Sequence, residues 1–556
     1  MMASTQHSAT AQDPEAGAPV QDTNFALPTS APPTTSNYGS TPTTASALTA
    51  SKPTSTSSRA VAPDLLRGLI LLLMSLDHAA LFLGAWLHGT PKQSESAGTP
   101  FTRWNFNTAY ISRTATHLCA PGFFLLMGMG CVYFHRSRAK IGWSRSRMVW
   151  HFTVRAIALT VVSEVMGATM MRRYNILVFN IVLIGLAVDY LLTGLLCLVM
   201  DATEGAVTRW LDAGLGEAVK QRVDGETRPL LSSDNGTLTA ATLTAPSTRS
   251  QTLSFWLHNA VLALLTYITI FWNVWLSPNG GHCPPTSLSP SRSPSSTAPI
   301  ELLALLPATN TAASAVQQSA SPPGSHLGAW FDFWFYPVEN EWVVSGFPPL
   351  AWISFCLFGM LYARIMLHKR WTARAVVAWN VGVAATLALL FVATRVLHFG
   401  NLSEGCLQMD EQHARPDANQ YLVSVKSFFY ITKYPPSPSF MFFTMAVNFA
   451  MLAVFSAIPP ALATAIPGLM NYGGSALFFY VAHMYLYRLL SIPVRYFFEH
   501  ELEDKPPNEW ERTTGVGSTA PFWITWVVGL LLLSPMCRAY GRFKAAQSTD
   551  SLWRFF

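Results

Sequence analysis

Ten stretches of this 556-residue chain stay apolar for close to 20 residues without alternating, and that pattern limits the fold more than any other feature. In lipid, only helices and closed barrels satisfy every backbone N–H and C=O. A helix needs roughly 20 apolar residues to cross a bilayer, whereas a barrel strand needs about 10 and alternates. The runs at 65–86, 117–135, 148–170, 175–199, 253–276, 347–367, 374–399, 439–459, 473–492 and 521–540 predict an all-α, multi-pass transmembrane helical bundle of about ten spans. Charged residues make up only 12% of the chain, about half the share of a soluble domain. The net charge of +6 is small and spread over loops, so the bilayer is an expected partner and nucleic acid is not.

The segments between spans set the organisation. Residues 1–58 are rich in Ser, Thr, Ala and Pro and predict a disordered tail with too little apolar surface for a core. Residues 59–545 form the membrane domain, and 546–556 a C-terminal tail. Basic residues cluster at Arg136–Arg147, at Arg364–Arg374 and at Arg538–Lys544. With ten spans all three fall on one face, which the positive-inside rule makes cytosolic along with both termini. The polar insert 200–252 then lies on the cytosolic side, and inserts 277–346 and 400–438 on the other. The sequon at Asn401 falls on the non-cytosolic face, where it is open to glycosylation, and the one at Asn235 does not. The seven cysteines have no metal-ligand spacing, so no metal is expected. Cys283 and Cys406, in loops on one side, can pair. Nothing in the sequence excludes a homo-oligomer.

Ionisable residues inside the spans are the candidates for function, because each is costly at membrane depth. Asp77 and His78 sit together in the first span, and His88 follows at its outer end. A carboxylate beside an imidazole makes a tuned base or a buried ionic network. Adjacent helical residues diverge, so one of the two faces a cavity and the other a neighbouring helix. Arg113 and His117, four residues apart, open the second span on one face. Arg395 and His398 close the seventh span, Lys433 opens the eighth, and His483 lies within the ninth. Most of these converge on the outer half of the bundle. Glu164 and Asp189 are further acids in spans. Asp64 and Arg67, at the opposite end of the first span, read either as a helix cap with a cytosolic anchor or as a phosphate contact.

Several of these residues stand in ordered motifs. The segment from Arg59 to His78, then Arg113-Thr-Ala-Thr-His-Leu-Cys-Ala-Pro-Gly-Phe-Phe-Leu-Leu-Met-Gly128, resembles the catalytic domain of the heparan-alpha-glucosaminide N-acetyltransferase family, especially its bacterial-type branch. Pro348-Pro-Leu-Ala-Trp-Ile353, Phe428-Phe-Tyr-Ile-Thr-Lys-Tyr-Pro-Pro-Ser437 and Ala476-Leu-Phe-Phe-Tyr-Val-Ala-His483 agree with it. The resemblance spans 59 to about 540 apart from the inserts. It implies transfer of an acetyl group from cytosolic acetyl-CoA to an amino sugar on the other side, with a catalytic His just outside the first span. That position falls within a residue of His88, and the family's pattern has Asn where His78 stands.

The chemistry asks for the same groups. Acyl transfer from a thioester needs a base at the acceptor amine or hydroxyl and donors for the oxyanion. His78 or His88 is the base or acyl carrier, with Asp77 beside it. Arg113, His117, Lys433, Arg395, His398 and His483 are candidate acceptor or oxyanion ligands. Arg67, Asp64 and the loop 136–147 are candidates to meet acetyl-CoA. Two rival readings, a transporter or channel using the same buried Asp, His and Arg and an inactive membrane scaffold, stay open.

Overall fold

The computed structural model describes residues 61–86, 106–170, 177–180, 182–226, 248–277, 329–339, 342–402, 410–431, 433–459, 461–462, 466–501, 514–548, 551 and 553. The tail 1–58, His88, Cys283, Cys406 and Asn235 lie outside them. In chain order the elements are α1 (Val61–Leu83), α2 (Phe106–Thr116), α3 (Cys119–Lys140), α4 (Arg145–Met170), β1 (Val178–Asn180), α5 (Leu183–Glu226) and α6 (Thr248–Trp275). They continue with α7 (Ala329–Phe335), β2 (Val338–Glu339), β3 (Val343–Ser345), α8 (Pro349–His368), α9 (Ala373–Leu397), α10 (Asp410–His413), α11 (Val425–Phe429) and α12 (Pro438–Ala457). The last are α13 (Pro467–Gly474), α14 (Ala476–Phe498), β4 (His500–Glu501), β5 (Thr514–Gly515) and α15 (Ala520–Ala546).

Among the described residues, ten helices are long and apolar enough to cross a membrane, and each coincides with one of the ten runs read from the sequence. The chain is an all-α, multi-pass integral membrane protein. Helices α1, α3, α5 and α8 are mostly buried within the bundle, whereas α4, α9 and α15 turn broad apolar faces outward. Exposed Val161 and Val165 on α4, Leu389 on α9 and Leu531 on α15 are suited to lipid contact.

Close helix approach depends on a few glycines. A Cβ on Gly128 of α3 would lie 2.0 Å from the Cys356 carbonyl oxygen of α8, and one on Gly359 of α8 would lie 2.1 Å from the Leu125 carbonyl oxygen of α3. Two backbones thus meet through reciprocal glycines, as membrane helices do when van der Waals packing drives association. Gly130, in the same Gly-Met-Gly run, faces outward with nothing near it.

Two boundaries differ from the sequence pattern. The run 175–199 predicts one continuous span, but residues 178–180 form a strand parallel to 343–345, and helix starts only at Leu183. Asn180 causes this. Its fully buried amide donates to Ser345 Oγ (3.0 Å) and to the Phe347 carbonyl (2.7 Å), and its Oδ1 accepts from the Gly185 N–H (3.1 Å), as a helix-capping oxygen does. The end of the 277–346 insert is therefore joined to the bundle. At the other end α5 runs on to Glu226, into the segment read as an insert from residue 200. No proline interrupts it before Pro229, and Ala, Glu, Leu and Arg favour helix.

A break between α2 and α3 sets up the site. Pro121 has no N–H to give the His117 carbonyl, and its ring crowds that position. The chain turns at His117 and Leu118, and Asn448 of α12 donates to the Leu118 carbonyl (3.3 Å).

Candidate functional site

Two pairs of ionisable side chains meet in the bundle near the ends of α1 and α2. Asp77 of α1 accepts from Arg113 of α2, Oδ2 to Nη1 at 2.6 Å, with both residues buried. His78 projects the other way, as adjacent helical residues must, and meets His483 of α14. His78 Nδ1 lies 2.7 Å from His483 Nε2, and the rings stack with centroids 5.0 Å apart.

The backbone assigns the tautomers of the histidine pair. His483 Nδ1 lies 2.8 Å from the Phe479 carbonyl oxygen, which only accepts, so Nδ1 carries the hydrogen. In the neutral pair His483 Nε2 is then the acceptor, and His78 Nδ1–H donates to it. His78 Nε2 is left as the basic nitrogen. The arrangement has the logic of a base held by a second group that fixes its ring and spreads the charge when it is protonated. His483 is fully buried and His78 half-buried.

Neighbouring aromatics complete the pocket around the rings. Tyr480 meets His78 edge-on at 6.5 Å, and Tyr487 meets His483 at 6.4 Å. Tyr487 donates to the Trp526 carbonyl (2.8 Å), and Trp526 Nε1 donates to Ser75 Oγ (3.1 Å), locking α14, α15 and α1 together. Tyr480 and Tyr487 were not among the candidates from sequence. Their spacing of three before and four after His483 was the available signal, since such residues share a helix face.

His117 and Arg113 line one small cleft with Tyr110, Thr114 and residues 429–431. His117 is buried, with the Phe440 ring 5.5 Å away. Lys433 is buried beside the Tyr434 ring at 5.0 Å, and its charge acts on Cys119 together with those of Asp77 and Arg113. Six of the candidates, Asp77, His78, Arg113, His117, Lys433 and His483, therefore fall in one region.

The others stand apart, except that Arg395 reaches the back of the Arg113–His117 cleft through the Tyr430 carbonyl. Arg395 is fully buried and holds the 400–438 segment in place. It donates to Asn401 Oδ1 (3.0 Å) and the Tyr430 carbonyl (2.8 Å), with its guanidinium 4.9 Å from the Tyr421 ring centroid. Asn401 itself is 3% exposed, and its amide donates to the Thr394 carbonyl (3.0 Å), so the sequon read as open to glycosylation is closed by packing. His398 is exposed and ends α9 in the left-handed conformation, φ 58°. Asp64 and Arg67 pair with each other at 2.7 Å, and Arg67 reaches the Gly473 carbonyl at 3.4 Å. Arg67 sits about 16 Å along α1 from His78, counting eleven residues, and Asp64 about 21 Å.

A second polar region lies at the Lys140 end of the bundle. Helices α3, α5, α6 and α8 line an open cavity of about 750 Å³, with His135, Arg136, Asp201, Glu204, Arg209 and Arg364 among its walls. Arg364 donates to Glu204 Oε2 (2.6 Å) and Asn259 Oδ1 (2.8 Å). Between His117 and the cavity residue His135 along α3, the bundle is filled by Phe124, packed with Trp352, Phe355 and Phe440, all unexposed, with Trp352 stacked on Phe124 at 5.5 Å and Phe440 against His117. Among the described residues no cluster of three or more His, Cys, Asp or Glu has metal-ligand geometry.

These features define a multi-pass membrane protein with a buried, ionically paired polar centre and a separate charged cavity at one end. No family model matches the chain, and no curated protein matches it.

Proposed function

We propose that the protein is a membrane-embedded acyltransferase that moves an acetyl group from acetyl-CoA to an amine or hydroxyl of a sugar-like acceptor across the bilayer. The observation that carries this reading is the His78–His483 pair, whose carbonyl-fixed tautomer leaves His78 Nε2 as the base, one residue along α1 from the Asp77–Arg113 pair. The resemblance of the same motifs to the heparan-alpha-glucosaminide N-acetyltransferase family points the same way.

On this reading His78 Nε2 takes the proton from the acceptor as its nitrogen or oxygen attacks the thioester carbonyl carbon. Negative charge gathers on the carbonyl oxygen, where buried cationic donors count most. The C–S bond then breaks, and the leaving thiolate takes the proton back from the His78 imidazolium. An acetyl-imidazole on His78 is the covalent alternative. The donor's phosphates are matched by Arg136 and Arg209 in the charged cavity rather than by Arg67, which Asp64 occupies, or by Arg364, which Glu204 occupies. The layer of Trp352 and Phe440 has to open for the acetyl group to pass.

The test uses purified protein in proteoliposomes with labelled acetyl-CoA and a panel of glycan acceptors. Label transfer by the wild type and its loss in His78→Ala support the reading. Full activity in His78→Ala with loss in His88→Ala moves the base to His88. A second reading, a transporter, is favoured by the closed layer between two polar regions, which resembles the occluded barrier of an alternating-access device. Absence of any thermal stabilisation by millimolar acetyl-CoA favours it, because a ligand of the native state raises the melting point.

A further inference from the structure

Asp189 stands outside both polar regions. It lies on α5 in the bundle interior, is 0% exposed, and neither carboxyl oxygen has a hydrogen-bond partner among the described residues. No charged side chain acts on it among those residues. The titratable groups facing it are thiols: Cys356 on α8, with Cys131 of α3 close behind. Arg155 of the adjoining α4 is placed over the Tyr190 ring at 5.1 Å instead.

An ionised carboxylate with no partner and no countercharge cannot persist in such surroundings, so it must be neutralised. A calcium or magnesium ion would need at least six oxygen ligands. The site offers two carboxyl oxygens and the Thr193 hydroxyl one turn away. A proton needs only one.

There is also a route. Asp189, Thr193 and Cys197 follow one another at four-residue steps on one face of α5. They run alongside Cys356, Met360 and Arg364, which repeat the same step on α8. Thr193 and Asp189 adjoin Cys356, while Cys197, Met360 and Arg364 already line the charged cavity. Asp189 therefore lies two helical turns, about 12 Å, beyond the cavity wall at Cys197. The seam is polar or polarisable along its length, unlike the aromatic layer of Phe124, Trp352 and Phe440 that packs against His117.

We propose that Asp189 is a proton-binding site inside the membrane domain, loaded from the charged cavity along the α5–α8 seam. The site does not rest on the acetyl-transfer reading: it shares no residue with the histidine pair, and only its entrance coincides with the cavity assigned to the donor.

Infrared difference spectroscopy of the full-length protein in nanodiscs tests it. The wild type at neutral pH is expected to show the C=O band of a buried, protonated carboxyl that shifts on transfer to D₂O and is lost in Asp189→Asn. Asp189→Glu, which keeps the acid, is expected to move the band. Cys197→Phe, which fills the cavity end of the seam, is expected to slow the D₂O shift. A spectrum unchanged in either Asp189 variant overturns the assignment, as does loss of the wild-type band on adding Na⁺ or K⁺ at fixed pH. An unchanged exchange rate in Cys197→Phe overturns the route.

Discussion

Two regions of the bundle carry ionisable side chains, and they hold them in opposite ways. Around His78 four groups are held in two dedicated pairs across helices: Asp77 with Arg113 and His78 with His483. In the cavity at the Lys140 end, Arg136, Asp201, Glu204, Arg209 and Arg364 share an open space and mixed contacts. The difference follows from water. Where it is excluded, a charge needs one well-aligned countercharge, and removing either partner leaves the other stranded. Where it enters, charges are screened, so even the 2.6 Å Arg364–Glu204 pair counts for less. Buried pairing fixes the direction of a base; screened pairing suits a binding surface for a soluble, charged molecule.

The comparison can be broken at its strongest point first. His78→Ala is expected to lower acetyl transfer by about 10²–10⁴-fold, the usual share of a general base, and to cost about 1–3 kcal/mol of stability because it leaves His483 Nε2 buried without its partner. Initial rates with labelled acetyl-CoA and thermal unfolding in detergent check both halves. Arg113→Ala should cost about 3–5 kcal/mol because it strands Asp77 in the bundle. Asp77→Leu combined with Arg113→Met should recover most of that stability, as measured by the melting temperature of the single and double variants. If the single variant melts like the wild type, the pair is not the tight, water-excluded one described.

Smaller effects sharpen the contrast. Gly128→Val presses a side chain into the Cys356 carbonyl and should cost about 1–3 kcal/mol or more, while Gly130→Val, facing outward, should stay within about 0.5 kcal/mol. At the cavity, Glu204→Gln should cost about 0.2–1 kcal/mol, an effect that fades with added salt, because the Glu204 side chain is 26% exposed. A salt-independent loss there would place the Arg364–Glu204 pair with the buried group instead.

Much of the architecture was legible because hydrophobic run length is a local property. The ten runs gave ten helices, and Asp77-His78 was conspicuous because neither residue belongs in lipid. The four-residue spacing of Arg113 and His117 also placed them together, since a helix face is a matter of counting. What counting missed was the strand at 178–180, whose partner lies 165 residues away at 343–345, and the continuation of α5 to Glu226, where polarity hid a helix.

The individual fates of the polar residues needed the third dimension. Arg395, Lys433 and His483 look alike in sequence, each a lone polar residue at or within an apolar run. Only the packing makes Arg395 a brace for the 400–438 segment, leaves Lys433 near Asp77 and Arg113, and sets His483 against His78. The sequon at Asn401 meets every local rule, yet burial of its amide closes it. Sequence alone determined that this chain lies in a membrane, how many times it crosses, and which residues are out of place there. Tertiary structure decided which of them meet, because pairing across helices depends on rotation, on glycine contacts such as Gly128 against Cys356, and on the break that Pro121 imposes before α3.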